Sequence, residues 1–304
     1  MTRLPFLVLA IVLLVIGVLT GLARTGVLIP ESLNMHTELH SIFMVSGFFG
    51  TVIGLERAVA SRKRWAYLAP ISSALGGLAI LINLPENLAP GLFTLAGIIF
   101  VAANIRVTLI QPAIYTITLL TGAFLWLMGN IGWLISGNPW ISIAYGLSFL
   151  VMTIAGERLE LTRFLPPRKY ATEAFAMIGS IILAGTFFSG TTSFTDISLL
   201  GTGYALLAIW LLLFDIARKT IQKSGITRFV AICLLSGYLW LLVGGLLMTN
   251  LFDIGGLQRD IAIHAITLGF IFAMVIGHAP IIFPAVLKLA IPFSAVLYIP
   301  LALV

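Results

Sequence analysis

Four histidines carry the most specific chemistry in this sequence of 304 residues: His36, His40, His264 and His278. They lie in or beside two long apolar segments, where polar side chains are costly and tend to face a bundle interior or a functional site. A neutral imidazole ligates haem iron or copper, so this pattern suggests metal or haem binding. The alternative is that each ring is a polar helix residue that bonds to a backbone carbonyl or lines a wet cavity.

Two of these histidines are matched in depth. His40 precedes Glu56 by 16 residues, and His264 precedes His278 by 14. If the inner ends of the two helices are level, the two imidazoles differ in depth by about 3 Å at ~1.5 Å per residue. A low-spin haem needs two such nitrogens on facing helices, so we predict His40 and His264 as candidate axial ligands.

The other two histidines suggest further sites. His36 lies one turn above His40 and is expected at the surface, as a haem propionate contact or as half of an i, i+4 copper site. His278 lies about 21 Å below His264 and suggests a second, inner site. Two stacked haems are excluded, because no second helix has the fourteen-residue histidine spacing. With one cysteine there is no C-x-x-C-H motif, so a haem would be b-type and non-covalent.

Charged residues gather at the inner ends of two apolar segments, as Glu-Arg pairs with one further acid. They are interpreted as interfacial salt bridges, or alternatively as a cytoplasmic proton entry or an anion or propionate clamp. The inner polar cluster comprises Glu56, Arg57, Glu157, Arg158 and Glu160.

The elements that must position these residues are transmembrane helices. With 60% hydrophobic and 9% charged residues, the chain is predicted to be a polytopic membrane protein in a lipid bilayer. An eleventh helix should begin near Ile282, and we expect twelve helices in a native chain that extends beyond Val304. No soluble domain is inserted, so residues 1–304 are predicted to form a single all-α membrane domain. The ten segments long enough to span ~30 Å of hydrocarbon are approximately 4–23, 36–58, 65–83, 89–109, 113–136, 139–162, 171–189, 197–216, 228–250 and 260–279.

The net charge of +6 reflects topology rather than nucleic-acid binding. With a cytoplasmic N-terminus, the outer connections hold only Arg24 and Arg259. This bias predicts a multi-pass protein of the inner (cytoplasmic) membrane. The fifteen basic residues at the inner side are Arg3, Arg57, Arg62, Lys63, Arg64, Arg106, Arg158, Arg163, Arg168, Lys169, Arg218, Lys219, Lys223, Arg228 and Lys288.

A threefold four-helix repeat is a further hypothesis. The inner ends of the second, sixth and tenth segments read VIGLERAV, TIAGERLEL and MVIGHAPI. Aligned on the small residue before the polar one, Glu56, Glu157 and His278 fall in register.

The chain resembles two related groups of membrane proteins. Histidines on the second and tenth helices resemble the plan of haem-copper oxidase subunit I, which implies a low-spin haem near the outer side. H-x-x-x-H followed by GFFG (36–50), RFLP (163–166), and HAITLGF with MVIGH (264–278) resemble the NnrS family. That resemblance implies haem, copper and a response to nitric oxide. The further histidines that ligate the oxidase copper and high-spin haem are missing, so no oxygen-reducing centre can be assembled.

Three functions remain open at this point. The first is an integral membrane haem protein for electron transfer or for handling nitric oxide or another small diatomic ligand, with a redox partner. The second is a proton- or ion-coupled transporter that uses the intramembrane histidines and glutamates. The third is a structural subunit that assembles with other membrane subunits.

Overall fold

The computed structural model describes residues 3–163, 165, 168–191, 197–249, 257–287 and 294–302. All regular structure within these residues is helical, and each of the ten predicted apolar segments coincides with a helix. The long helices are α1 Leu4–Arg24, α2 Thr37–Ser61, α3 Leu68–Leu81, α4 Leu88–Ile110, α5 Ile114–Ser136, α6 Ile141–Thr162, α7 Ala171–Thr191, α8 Ser198–Phe214, α9 Gly225–Met248 and α10, residues 258–287.

Seven of the described helices are long and apolar enough to cross a membrane: α1, α2, α4, α5, α7, α9 and α10. Helix α8, with 17 residues, and helix α3, with 14, are shorter. The chain is therefore an all-α, multi-pass membrane protein.

Helix ends follow the breakers in the sequence. Gly137 ends α5 with a φ of 70° and donates its N–H to the Trp133 carbonyl, a left-handed cap that glycine adopts without steric cost. Asn83, beyond the end of α3, takes a φ of 54°, and asparagine tolerates this left-handed region better than most residues.

The eleventh helix was expected to begin near Ile282, and this expectation is wrong. Helix α10 continues through that position to Leu287, although it contains Pro280 and Pro284. Prolines are tolerated in membrane-spanning helices, because neighbouring groups satisfy the freed carbonyls. His278 therefore lies within α10 rather than at its mouth. Lys288 and the breakers at 166–167 and 192–193 lie outside the described residues.

The residues group into two compact units, Met1–Thr153 and Ile154–Val304. In the first unit α1 packs on α2 and α3, α3 packs on α4, and α4 packs on α5. Its core includes Leu13, Phe43, Phe93 and Trp133. In the second unit α9 packs against both α8 and α10, and α7 packs on α8.

Helices α8 and α9 meet backbone to backbone at two glycines. A Cβ added to Gly245 would lie 2.6 Å from the Ala205 nitrogen and 2.8 Å from the Gly201 carbonyl oxygen. A Cβ on Gly201 would lie 2.6 Å from the Gly245 carbonyl oxygen. Small residues allow such close approach in membrane bundles, where packing rather than hydrophobicity holds helices together.

We predict that Gly245→Ala lowers the free energy of unfolding by about 1–3 kcal/mol, because the added methyl group meets rigid backbone. Thermal unfolding of the detergent-purified protein measures the effect. Gly91→Ala is the matched control, since a Cβ there meets nothing within 4 Å. Equal stability of the two variants would contradict the close contact.

Candidate functional site

Each candidate haem ligand is followed by a π-helical segment. The first, Phe43–Phe49, begins three residues after His40, and the second, Ala265–Phe272, begins directly after His264. In the first segment the backbone bonding is i to i+5, so that the Gly50 N–H reaches the Val45 carbonyl. The π-helix is rare and occurs frequently at functional sites, so the two segments mark these stretches of α2 and α10 as unusual.

The two π-helical segments are also in register with the inner polar residues. The first begins thirteen residues before Glu56, and the second begins thirteen residues before His278. A Gly-Phe dipeptide stands nine residues before each of these polar residues. Helix α6, which carries Glu157, is α-helical throughout its length.

Polar side chains bond to the backbone of the first π-helical segment. The Ser73 hydroxyl donates to the Ser46 carbonyl at 2.5 Å, and the Thr51 hydroxyl donates to the Gly47 carbonyl at 2.7 Å. The Trp126 indole N–H donates to the Ser46 hydroxyl at 3.1 Å. These buried bonds supply partners that the membrane does not offer.

His40 is held against α1. Its Nδ1 lies 2.5 Å from the Gly17 carbonyl oxygen. A Cβ on Gly21 would lie 2.6 Å from the ring, so the imidazole occupies space that only glycine leaves open. Because a carbonyl accepts hydrogen bonds only, Nδ1 carries the proton and, in the neutral ring, Nε2 keeps its lone pair. This is the tautomer in which a histidine ligates a metal through Nε2.

His264 and His278 have the same arrangement within α10. The Nδ1 of His264 bonds to the Asp260 carbonyl and that of His278 to the Met274 carbonyl, each at 2.7 Å. The His264 ring is exposed at the surface of the chain, whereas His278 is partly buried. Taken separately, His40 and His264 each present a neutral imidazole nitrogen of the kind that haem iron takes.

His36 was expected at the membrane surface, and within the chain its side chain is buried. The residue is only 4% exposed, and its ring lies edge-on to Phe43 with centroids 6.1 Å apart. The cause is a 3₁₀ turn, Thr37–Leu39, at the start of α2, which breaks the α-helical spacing between His36 and His40. The two rings bond to different helices, His36 to the Leu81 backbone in α3 and His40 to α1.

Burial lowers the pKa of His36, which lies just before the membrane-spanning part of α2, and the hydrogen bond to the Leu81 backbone opposes this shift. The buried Nε2 has no hydrogen-bond partner. The neutral ring is therefore the form that the fold favours.

The residues of the predicted inner polar cluster have different surroundings. Glu160 forms an ion pair with Arg163 at 3.5 Å, with both side chains over one third exposed. Glu56 and Glu157 are also exposed at the surface of the chain, and Arg57 is intermediate. Arg158, in contrast, is 4% exposed and faces the interior of the second unit.

Arg158 meets a residue that the sequence reasoning missed, Asp215, at the end of α8. Its Nε lies 3.5 Å from Asp215 Oδ2, and the two side chains are 5% and 0% exposed. Neither atom has a hydrogen-bond partner, although Asp215 Oδ1 accepts the Ala217 N–H at 2.7 Å. A lone acid after an apolar run, at the end richest in basic residues, is the signal that could have identified Asp215.

Two more polar groups complete this buried cluster. The fully buried Tyr238 and the partly buried His278 both interact electrostatically with Arg158 and Asp215. Burial raises the pKa of Asp215, which lies beyond the last residue of α8, and the Arg158 guanidinium opposes the shift.

A guanidinium beside His278 disfavours a metal cation there. In the described residues no three His, Cys, Asp or Glu side chains form a group suited to a metal ion.

Comparison with known proteins yields one match. The family model described as Domain of unknown function (DUF8744) matches residues 3–304. No curated protein and no solved structure matches the chain.

We predict that Arg158→Met lowers the free energy of unfolding by about 3–5 kcal/mol, because it leaves a buried carboxylate without its partner. Adding Asp215→Asn should restore most of this loss, since the amide can still accept the Ala217 N–H. Thermal unfolding of the single and double variants measures the coupling. Arg163→Met is the surface control, with an expected loss below about 1 kcal/mol. Additive losses for Arg158 and Asp215 would contradict the buried pair.

We predict that His36 makes the protein less stable in mild acid. Its pKa in the fold is lowered, whereas in the unfolded chain it is about 6.5. The unfolded state therefore binds more protons as pH falls below that value, and the free energy of unfolding decreases. Melting temperatures at pH 7.5 and pH 5.5 should differ less for His36→Leu than for the unchanged protein. An equal pH difference in both would rule out this role.

Proposed function

This chain belongs to the DUF8744 family, and we propose that it is an integral membrane haem protein for electron transfer with His40 and His264 as axial ligands. The observation that carries the proposal is the π-helical segment that follows each of these two histidines. Such segments are frequently associated with functional sites. Their common spacing from Glu56 and His278 supports an equivalence of α2 and α10 within a four-helix repeat.

The hydrogen bonds of the two rings support the same proposal. Each Nδ1 donates to a backbone carbonyl, which fixes the tautomer and the orientation of the ring. His264 is also exposed at the surface of the chain rather than packed within its unit.

In this proposal His40 and His264 would hold the haem. When bound, such a haem supplies a one-electron redox couple, which is why electron transfer is proposed ahead of nitric oxide handling. The haem would be b-type and non-covalent, because the only cysteine, Cys233, is buried in α9. Copper between His36 and His40 would require both rings to leave the helices they now bond to.

The distribution of basic residues supports a topology for this function. We propose that all ten long helices cross the cytoplasmic membrane, with the N-terminus in the cytoplasm and the two histidines toward the outer side. Electrons would then be exchanged with a redox partner or another membrane subunit at that side.

A proton- or ion-coupled transporter is the second candidate function. The buried Arg158 and Asp215 favour it, because ionisable groups inside a membrane bundle commonly mark ion or proton pathways. A colourless protein that moves a solute in a pH-dependent manner would support this candidate. A colourless protein without transport would leave the structural-subunit function.

We predict that the protein purified in detergent from haem-replete cells shows a Soret band that shifts on reduction with dithionite. The band should be lost or strongly reduced in His40→Ala and His264→Ala and retained in the matched controls His36→Ala and His278→Ala. A folded but colourless protein would overturn the haem proposal, and so would an unchanged spectrum in both ligand variants.

A second pair of variants separates ligation from folding. Methionine also ligates haem iron and raises its reduction potential relative to histidine. We therefore expect His40→Met and His264→Met to keep the haem with a more positive midpoint potential. A merely structural histidine would leave the potential unchanged.

A further inference from the structure

Three buried polar atoms without hydrogen-bond partners belong to one cluster in the second unit. They are Arg158 Nε, Asp215 Oδ2 and Tyr238 Oη. The described residues hold only two other such atoms, in His36 and Thr94. A buried polar atom left unpaired costs about 1–3 kcal/mol, so three in one place favour a shared polar partner. The Tyr238 hydroxyl and the Asp215 carboxylate also attract each other as hydrogen-bonding groups, although no hydrogen bond of normal geometry joins them.

The chemistry of these atoms suits a water molecule. Arg158 Nε is a donor, Asp215 Oδ2 is an acceptor, and the Tyr238 hydroxyl serves as either. Buried water typically makes about three hydrogen bonds to otherwise unsatisfied groups. The gap of 3.5 Å between Arg158 Nε and Asp215 Oδ2 is an ion-pair distance with no hydrogen bond formed.

The other carboxylate oxygen of Asp215, Oδ1, already has a hydrogen-bond partner. Oδ1 accepts the Ala217 N–H at 2.7 Å, which fixes the carboxylate in the turn after α8. Oδ2 is therefore the oxygen that is available to a water or to a proton. Around this turn, the guanidinium groups of Arg168 and Arg218 both donate to the Leu213 carbonyl, at 3.1 and 2.7 Å.

Asp215 also lines a cavity beyond the end of α8. A cavity of about 160 Å³ is lined by Asp215 together with Arg168, Arg218 and Lys219. These cations lie on the side that the charge bias assigns to the cytoplasm. Asp215 thus borders both this cavity and the buried cluster.

His278 is a further titratable group beside the cluster. Its Nδ1 proton is bonded to the Met274 carbonyl, so the lone pair of the neutral ring is on Nε2. The ring interacts electrostatically with both Arg158 and Asp215.

We propose that Arg158, Asp215 and Tyr238 bind an internal water through which Asp215 exchanges a proton with the cytoplasmic cavity. A hydronium ion in the cavity gives a proton to the internal water and becomes water. The internal water passes one of its own protons to Oδ2, which gives a neutral carboxylic acid beside Arg158. Return of a proton to the cavity restores the ion pair, and no other reactant is consumed. The site does not depend on haem binding.

Infrared spectroscopy of the full chain in liposomes tests the protonation of Asp215. As pH is lowered, a carboxylic acid C=O band that shifts in D₂O should appear above the pH expected of an exposed aspartate. The band should be absent in Asp215→Asn and retained in the matched control Glu160→Gln, which removes a surface carboxylate. A titration that is identical in Asp215→Asn and the unchanged protein would overturn the proposal.

Tyr238→Phe tests whether the buried hydroxyl has a polar partner in the cluster, by the sign of a stability change. If a water bonds to the hydroxyl, removing the hydroxyl should lower the melting temperature and shift the Asp215 band. If the hydroxyl is unpaired, its removal should raise the melting temperature, and that result would overturn the proposal. His40→Ala and His264→Ala should leave the band unchanged, so failure of the haem proposal remains distinguishable from failure of this one.

Discussion

Hydrocarbon offers no hydrogen bonds, so polar groups at membrane depth must find their partners within the protein. The buried hydroxyls of Thr20, Thr153 and Thr186 meet this constraint locally, each by donating to the carbonyl four residues earlier at 2.7–2.8 Å. His264 and His278 do the same through Nδ1. The constraint thereby fixes the tautomer of these histidines, and the tautomer decides which nitrogen is available for chemistry.

The candidate sites lie where the hydrogen bonding departs from this pattern, in which a side chain donates to a carbonyl of its own helix. His40 bonds to another helix, and it does so where α1 presents glycine instead of a side chain. The π-helical segments of α2 and α10 depart from the α-helical pattern of bonding. Arg158, Asp215 and Tyr238 keep buried atoms that no group in the described residues satisfies. Since each departure has an energetic cost, a role in binding or proton exchange is a reason for a membrane bundle to retain them.

The helices could be predicted from sequence because an apolar run of about 20 residues has few structural alternatives in a bilayer. The helix-breaking residues in the sequence also predicted where the helices end, as at Gly137. The π-helical segments could not be predicted, because their bonding is a property of backbone geometry. His36 was misplaced for a related reason. A 3₁₀ turn of three residues at the start of α2 rotates His36 relative to His40, and the sequence HTELH does not reveal it.

The inner polar cluster illustrates a second limit of sequence reasoning. Grouping Glu157, Arg158 and Glu160 by proximity in the chain ignored that successive residues on an α-helix point about 100° apart. Glu157 and Glu160 share the outer face of α6, and Arg158 turns inward to an acid 57 positions later in the chain. Removing an arginine and an aspartate from water is expensive, and their attraction compensates only when further hydrogen bonds satisfy both groups. Because those bonds are incomplete among the described side chains, the pair contributes little to stability by itself. A bound water would complete them, and it would also make the carboxylate accessible to protons.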